Sequence, residues 1–486
     1  MPIPEEVRKV PRPVNTIVIA YGKNKDRYAV RKRIGCKYVD GKRKPVNGPT
    51  IGHIVDGRYI PLPEKTPENT AHNTAATPAD MKDWGNAVLS DRLFKSVMQD
   101  LLDGYSQEDA ERMCCIAIIR ACNEGIRDYE LRDAYENSFL SELYPGADFS
   151  EDAVRTFLKC IGRNPSSMSG FMQKRASSAR EHHLLIGCIQ EPDVSGGIAL
   201  PALTRRAGAR ESRAVSVMYA FDLDEMDLVC SQCFPDGGLD AASFSEFVEK
   251  NSIACGFFVA GKGEPESWAQ ESPEHDKNLH CLKPVSRGSK LIEQHHMLDF
   301  SAVLKGYDCI TCRKEECLKR GTWLYSYRDS QEAHREEKEW LSLARENNTY
   351  NFAEFSRKQK EFGTIVWECS LDLPPEIPYM ACEKLPEIEL VMRCCKSACE
   401  ADDMSMQDDC YAAGSEFCNF LASVLVFRLI KAFDDAKLLS TRTFGEIMSV
   451  LECARKIRID GGDWQLVRIR ESHLHVLEAL GLSPLY

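Results

Sequence analysis

Long apolar runs are missing from this chain of 486 residues. No stretch of about 18 apolar residues occurs, so the sequence contains no candidate for a membrane-spanning helix. The first residues also lack a basic segment followed by an apolar one, so we expect no secretory signal and a cytoplasmic protein. Proline (23) and glycine (30) stay near their ordinary frequencies. This excludes a fibrous chain and one that is disordered throughout.

Cysteine, in contrast, is frequent: the chain has 21, an odd number. Without an export signal, reduced thiols are expected rather than a disulfide framework. Two sets have the local spacing of zinc knuckles, Cys309–Cys312–Cys317 and Cys230–Cys233. They are separated by 75 residues, and the second pair lies on a predicted strand, where its members point to opposite faces. The spacing therefore disfavours a zinc site.

Positive charge is concentrated near the start of the chain. In residues 1–60, 14 Lys and Arg stand against 5 Asp and Glu, a net charge of +9. The whole chain carries −12, so the remaining residues carry −21. A basic module joined to an acidic body is typical of a protein that contacts phosphates, and a solvated basic face is the alternative. The basic clusters are Arg31-Lys32-Arg33 and Lys42-Arg43-Lys44.

Runs of β-forming residues, turn signals and helical periodicity predict a mixed α/β protein. The core is expected to contain strands at 183–189, 214–221, 228–234 and 253–260, with a helix at 243–250 before the last strand. Three strands, a helix and a further strand resemble the start of a ribonuclease-H-like core. The predicted parts are a basic β-rich module (1–62), a linker (63–82), a helical region (83–180), the first part of the core (181–263), an insertion (264–361), the second part of the core (362–400) and a C-terminal helical region (401–486).

The segment from Tyr379 to Lys396 carries the most specific pattern. Glu389, Arg393 and Lys396 are spaced i, i+4 and i+7, so they share one face of a helix. An acid beside two cations suits a metal–phosphate site, because the carboxylate binds Mg²⁺ and the cations contact phosphates. An exposed, salt-bridged helix face is the alternative.

This segment resembles the Y-x2-R-x3-E-x6-K signature of a group of bacterial insertion-sequence transposases with DDE chemistry. Glu389 and Lys396 match the E and the K, whereas Cys382 and Leu385 stand where the family has Y and R. The similarity covers nearly the whole chain. It includes the phrases Arg43-Lys-Pro-Val-Asn-Gly-Pro-Thr-Ile-Gly-His-Ile54, Phe362-Gly-Thr-Ile-Val366, Asp372-Leu-Pro-Pro-Glu-Ile377 and Gly414-Ser-Glu-Phe-Cys418.

The resemblance implies a ribonuclease-H-like fold in which two Asp and one Glu hold two Mg²⁺ ions for DNA strand cleavage and transfer. The two aspartate positions of the family are occupied here by Gly187 and Gly261, and Glu389 stands at the glutamate position. Glycine has no ligand oxygen, so we expect poor Mg²⁺ binding and weak or no catalysis. The family further implies that the N-terminal module and the region 83–180 bind DNA ends. It also implies that the insertion is strand-rich and helps to hold the DNA end, and that the protein dimerises on paired ends in a bacterial cytoplasm.

Other carboxylates and imidazoles remain as candidates. Asp222 and Asp224 alternate along a strand if the strand extends that far, and Asp240 ends the phrase Phe234-Pro-Asp-Gly-Gly-Leu-Asp240, which resembles a phrase of the family. Either of these sites could supply replacement ligands. Turn and cap roles are the expected alternative for all three. The tandem histidines His182-His183 and His295-His296 are expected to be solvated or core residues.

Three classes of function remain open at this stage. The first is an active DNA nucleotidyltransferase, which needs three carboxylates where the chain offers one. The second is a DNA-binding relic or regulator with impaired catalysis, which the two glycines and the basic N-terminus favour. The third is a zinc-stabilised interaction protein, which the dispersed cysteines support poorly.

Overall fold

The computed structural model describes residues 3–21, 27–39, 42–55, 57–61, 79–189, 215–235, 239–259, 279–400 and 408–482. The protein has mixed α/β structure, as predicted, and divides into two compact units, Met1–Pro78 and Ala79–Tyr486. The finer, seven-part division of the sequence remains a prediction. Among the described residues, no helix combines the length and the apolar character needed to cross a membrane.

The first unit is a four-stranded antiparallel sheet in the order β1-β2-β3-β4. Val18, Val30 and Ile54 form its small core, because alternate residues of each strand share one face. The register between β2 and β3 shifts around Arg31 and Arg33, where the ladder is irregular. The elements are α1 (Glu5–Arg8), β1 (Thr16–Tyr21), β2 (Arg27–Val39), β3 (Lys42–Val55) and β4 (Arg58–Pro61).

The second unit begins with a short strand and a group of helices. Ser106 caps one helix, as its sequence predicts, by accepting a hydrogen bond from the Asp109 backbone N–H. The elements are β5 (Ala79–Asp83), α2 (Gly85–Leu101), α3 (Gln107–Cys122), a 3₁₀ turn (Asp128–Glu130), α4 (Leu131–Asn137), α5 (Leu140–Leu143), α6 (Glu151–Gly162) and α7 (Pro165–Ser178).

Strands alternate with helices in the rest of the unit. These elements are β6 (Leu184–Ile189), β7 (Val215–Asp222), β8 (Asp227–Pro235), α8 (Ala241–Lys250), β9 (Gly256–Val259), β10 (Leu279–Pro284), α9 (Lys290–Gln294), β11 (Ala302–Val303), β12 (Ile310–Cys317), β13 (Thr322–Asp329), α10 (Ser330–Glu346), α11 (Phe352–Lys358), β14 (Thr364–Cys369), α12 (Glu376–Glu400), α13 (Asp409–Asp435), α14 (Phe444–Cys453), β15 (Arg455–Ile459), β16 (Gln465–Leu466) and α15 (Glu471–Ala479).

A nine-stranded sheet organises this unit, in the order β11-β12-β13-β14-β10-β9-β6-β7-β8. Strand β7 is antiparallel to both β6 and β8, whereas β9 is parallel to both β6 and β10. Strand β14 then pairs antiparallel with β10, and the remaining strands continue the sheet from it. The region predicted as an insertion therefore contributes strands to the same sheet as the predicted core.

Alternation along the central strands builds two cores on opposite faces of this sheet. Leu184 and Ile186 pack with α8 on one face, while Leu185 and Ile189 belong to the larger core on the other face. The larger core includes α12 and the long helix α13, which is buried along most of its length. Position 187 follows the same alternation and faces the larger core and α12.

Two glycines allow α6 and α13 to pack with their backbones almost touching. A β-carbon at Gly162 would lie 2.7 Å from the carbonyl carbon of Cys410, and one at Gly414 would lie 2.8 Å from that of Leu158. In both places the carbonyl oxygen would be closer still. This approach fixes the position of α13 against the helical region.

The C-terminal region, predicted to be helical, also contains a small sheet. Strand β15 pairs antiparallel with β16 and with β5, so that Lys456 lies opposite Lys82 and Arg458 opposite Asp80. The guanidinium of Arg458 lies 4.5 Å from the ring centroid of Trp464. The partner strand β5 is more than 370 residues away in sequence, so no local pattern could reveal the pairing.

Candidate functional site

Helix α12 presents the predicted signature residues beside the larger core. Ile388 and Met392 are buried and hold the helix against the sheet, and α12 packs on β6 and β7. On the neighbouring face, Arg393 Nη2 lies 3.2 Å from Glu389 Oε2, with the Glu389 side chain 34% and the Arg393 side chain 64% exposed. The structure therefore retains the predicted acid–cation pair on one helix face. Lys396, the third signature residue, is buried, at 6% exposure.

Gly187 lies directly opposite Tyr219 in the β6–β7 ladder. A β-carbon at position 187 would lie 2.7 Å from Cε2 of Tyr219 and closer still to Cζ and Oη. The phenol ring thus occupies the space into which a side chain at position 187 would project. Tyr219 itself is 0% exposed.

The phenol of Tyr219 connects this position to α12. Burial, followed by the negative charge of Glu389, raises the pKa of Tyr219 well above its usual value, and Arg393 opposes this shift. The hydroxyl therefore stays protonated, and it has no hydrogen-bond partner among the described residues. Tyr219 is therefore in contact with position 187 and within electrostatic range of the Glu389–Arg393 pair.

Residues with no metal-binding oxygen occupy the other two signature positions. Cys382 is half-buried, and burial raises the pKa of its thiol. Leu385 packs against the larger core. Both side chains therefore contribute to packing, where the family signature has two polar residues.

Gly261, the second aspartate position, lies outside the described residues, and β9 is described as far as Val259. Because β9 is parallel to β6, with Phe258 beside Ile186, the end of β9 lies level with position 187.

The three alternative carboxylates have other roles. Asp222 pairs with Leu184, three residues along β6 from Gly187, which corresponds to about 10 Å. Asp222 Oδ1 accepts hydrogen bonds from the backbone N–H groups of Asp224 and Glu225, which shape the turn after β7. Asp240 caps α8 by accepting from the Ser243 backbone N–H. Turn and cap roles therefore account for their geometry.

The turn brings two tandem histidines against these aspartates. His182 Nδ1 lies 2.6 Å from Asp222 Oδ2, and His183 Nδ1 lies 3.0 Å from Asp224 Oδ2. The hydrogen bond to Asp222 raises the pKa of His182. His182, Asp222 and Asp224 offer ligand atoms within 4.8 Å of one another, close enough for one metal ion, although hydrogen bonds within the group already satisfy these atoms. Sequence analysis missed this grouping because it depends on the β6–β7 register.

Several other predicted ligands are dispersed. Cys230 packs in the core on one face of the sheet and Cys233 against the core on the other face, so these two thiols cannot share a metal. Among the residues that the structure describes, no cysteine belongs to a group of three ligands close enough for one ion. His296 lies 3.5 Å from Asp299 in an exposed pair, next to His295 at the end of α9.

The predicted DNA-binding residues lie in the first unit. Arg31, Lys32 and Arg33 are exposed on β2. The backbones of Lys42, Arg43 and Lys44 form the start of β3, opposite Val39, Tyr38 and Lys37, and the positions of their side chains are outside the described structure.

No family model matches the chain, and no curated protein matches it. Among solved structures, the chain is similar to a piggyBac transposase synaptic complex with hairpin DNA. The two chains share 9% identity, over 76% of this chain and 79% of that chain, with a TM-score of 0.29. A likeness of this degree supports no conclusion on fold or function.

Proposed function

We propose that this protein is a transposase-type DNA-binding protein with a ribonuclease-H-like core whose metal centre has lost its catalytic ligands. It binds DNA ends and cleaves them weakly or not at all. The observation that carries the proposal is the packing of α12, with Glu389, against the strand face to which position 187 belongs.

Strand order supports the proposed core. In the ribonuclease-H-like arrangement, three antiparallel strands are followed by a helix and by two strands parallel to the first one. Here β6, β7 and β8 form the antiparallel set, α8 follows, and β9 and β10 lie on the other side of β6. The directions β6–β9–β10 are all parallel.

The described residues around position 187 and Glu389 do not fit a pair of Mg²⁺ ions. Position 187 offers no oxygen, and the phenol of Tyr219 fills the space beside it. Glu389 is engaged with Arg393, and two Mg²⁺ ions need several carboxylate oxygens. The described residues therefore supply no metal-dependent step.

DNA contact is assigned to the exposed cations of β2, because phosphate binding needs accessible Lys and Arg side chains. Arg31, Lys32 and Arg33 meet this requirement. Pairing of two copies on two DNA ends, in a cytoplasm, belongs to the same proposal and rests on the family resemblance alone.

The test uses the full chain with duplex DNA taken from the sequence that flanks its gene. We expect salt-dependent binding in a gel-shift assay and no Mg²⁺- or Mn²⁺-dependent strand cleavage on a denaturing gel. Strong cleavage that Glu389→Ala abolishes would overturn the loss of catalysis and favour the active enzyme. Absence of DNA binding at low salt would overturn the proposal as a whole.

A further inference from the structure

The four-stranded sheet of the first unit has its small core on one face. Alternate residues of a strand share a face, so Val18, Val30 and Ile54 point to the core. Ala29 and His53, which directly precede core residues in β2 and β3, and Tyr21, three residues after Val18 in β1, therefore lie on the opposite face. This opposite face is called the ring face below, after the rings of Tyr21 and His53.

The rings of Tyr21 and His53 meet across β2. Ala29 lies opposite Ile19 of β1 and His53 of β3, and its short side chain leaves room above the strand for rings from both neighbours. The ring centroids are 5.7 Å apart, and Tyr21 Oη lies 3.3 Å from His53 Nδ1, within hydrogen-bonding distance. Ala29 is 7% exposed, in agreement with this covering, whereas Tyr21 is 41% exposed. The pair therefore forms an accessible aromatic platform, and the hydrogen bond limits the motion of both rings.

Positive charge borders this platform. Arg27 and Arg31 stand two residues before and after Ala29, so strand alternation places both on the ring face, and both are exposed. Arg58 of β4 is exposed on the same face, opposite Val55. None of the residues in β1 to β4 is acidic. The ring face thus combines an accessible aromatic ring with cations that complement the charge of phosphates.

We propose that the ring face binds the unpaired bases of single-stranded DNA: a base stacks on Tyr21, and Arg27 and Arg31 contact the phosphates on either side of it. Every base has a π-face that stacks on an aromatic side chain irrespective of sequence, while cations bind the backbone. In a duplex the bases stack on one another, so a duplex offers phosphates to the cations and no base to the ring. The inference rests on the proposed function, which makes DNA the ligand of this unit, and it adds the form of DNA that is bound.

Fluorescence anisotropy with the full chain tests this inference. The probes are a short oligothymidine, an abasic strand of the same length and a duplex of the same length. We expect Tyr21→Ala to weaken oligothymidine binding by about fivefold or more, the effect of losing one stacked base, and to leave the other two affinities unchanged. Tyr21→Phe keeps the ring and should bind oligothymidine as the unmodified chain does. Arg27→Ala and Arg31→Ala should each weaken the binding of all three probes.

Lys32→Ala is the matched control for the cations. Lys32 is exposed on the same strand as Arg31, but it lies opposite Thr16 and so belongs to the core side of the sheet. Its loss should weaken oligothymidine binding less than the loss of Arg31 does, and equal losses would overturn the assignment to the ring face. Should Tyr21→Ala lower the melting temperature, Tyr21→Leu keeps the apolar bulk without a π-face and is expected to show the same selective loss.

The outcomes separate this inference from the proposed function. If the chain binds the duplex, but its affinity for oligothymidine is the same with and without the Tyr21 ring, the inference is wrong and the proposed function stands. If oligothymidine binds through Tyr21 and the duplex does not bind at all, the proposed function is wrong and the single-strand site stands by itself. Tighter binding of an oligouridine than of the oligothymidine would identify RNA as the ligand and overturn the inference.

Discussion

Arg120 on α3 and Asp128 in the following 3₁₀ turn form an ion pair of 2.9 Å in the interior of the second unit. Arg120 also donates to the Ser415 carbonyl and to Asn419 Oδ1 on α13, while Tyr411 donates to the other oxygen of Asp128. The pair therefore joins the helical region to the helix that lies along the sheet.

Removing the carboxylate should be costly. Asp128→Ala removes the carboxylate that accepts from Arg120 and from Tyr411, in a site where the Arg120 side chain is only 9% exposed. We expect the free energy of unfolding to fall by about 3–5 kcal/mol, measured by urea denaturation at pH 7. Glu136→Ala, which breaks the exposed pair with Arg132, is the control and should leave stability nearly unchanged. Equal losses in the two variants would show that the Arg120 pair contributes no more than a surface pair.

Gly414→Ala tests the close approach of α6 and α13. The added methyl group would overlap the backbone of Leu158, so the helices must separate. We expect a loss of about 1–3 kcal/mol or more in the free energy of unfolding. Gly170→Ala on α7, where a β-carbon meets open space, should instead stabilise by about 0.5–1 kcal/mol. A neutral Gly414→Ala variant would contradict the packing.

The basic cluster on β2 should determine how strongly DNA affinity depends on salt concentration. Replacing Arg31, Lys32 and Arg33 together by Ala should lower DNA affinity and reduce the log–log salt slope by about 0.9 for each phosphate contact that is lost. The control removes three exposed cations from the C-terminal region, Lys437, Arg468 and Arg470, and should leave the slope unchanged. An unaltered slope in the β2 variant would place the phosphate contacts elsewhere.

The buried carboxyl of Asp83 should make the free energy of unfolding depend on pH. Burial raises the pKa of its carboxyl to about 6 in the folded protein, although hydrogen bonds from Asn86 act in the opposite direction and lower it. Since the folded pKa lies above the unfolded one, the contribution of this group is greatest below about pH 4 and is lost as the pH rises through 6. Relative to the unmodified chain, Asp83→Asn should gain up to about 3 kcal/mol between pH 4 and 7. A constant difference between the two chains, in urea unfolding across this range, would contradict the assignment.

Local patterns were sufficient for much of the fold. Strands β6 to β9 and helix α8 lie within a few residues of their predicted positions, because each is a short apolar run bounded by turn residues. Helix α12 runs from Glu376 to Glu400 through Pro386, since tertiary packing tolerates this proline inside the helix. Strand β15 was not predicted, because its partner β5 is distant in sequence and its own pattern is weak.

In the candidate site, too, some features follow from local sequence patterns and others depend on contacts between distant segments. The helical spacing of Glu389 and Arg393 indicated their pairing, since residues four apart share a face. The overlap of Tyr219 with position 187, and the grouping of His182 with Asp222, depend on which residues of β6 and β7 lie opposite each other. Strand register between separate segments is a three-dimensional property, so composition and spacing could not provide it.

The continuity of the nine-stranded sheet sets a distance scale for the second unit. Strand β13 lies four strands from β6, so its centre is about 19 Å from that of β6 at the usual interstrand spacing. Tyr307 also donates a 2.8 Å hydrogen bond to Glu383 on α12, and Lys314 of β12 pairs with Asp372 just before that helix. Any molecule that binds to β12 or β13 is consequently held at a constant distance from Glu389.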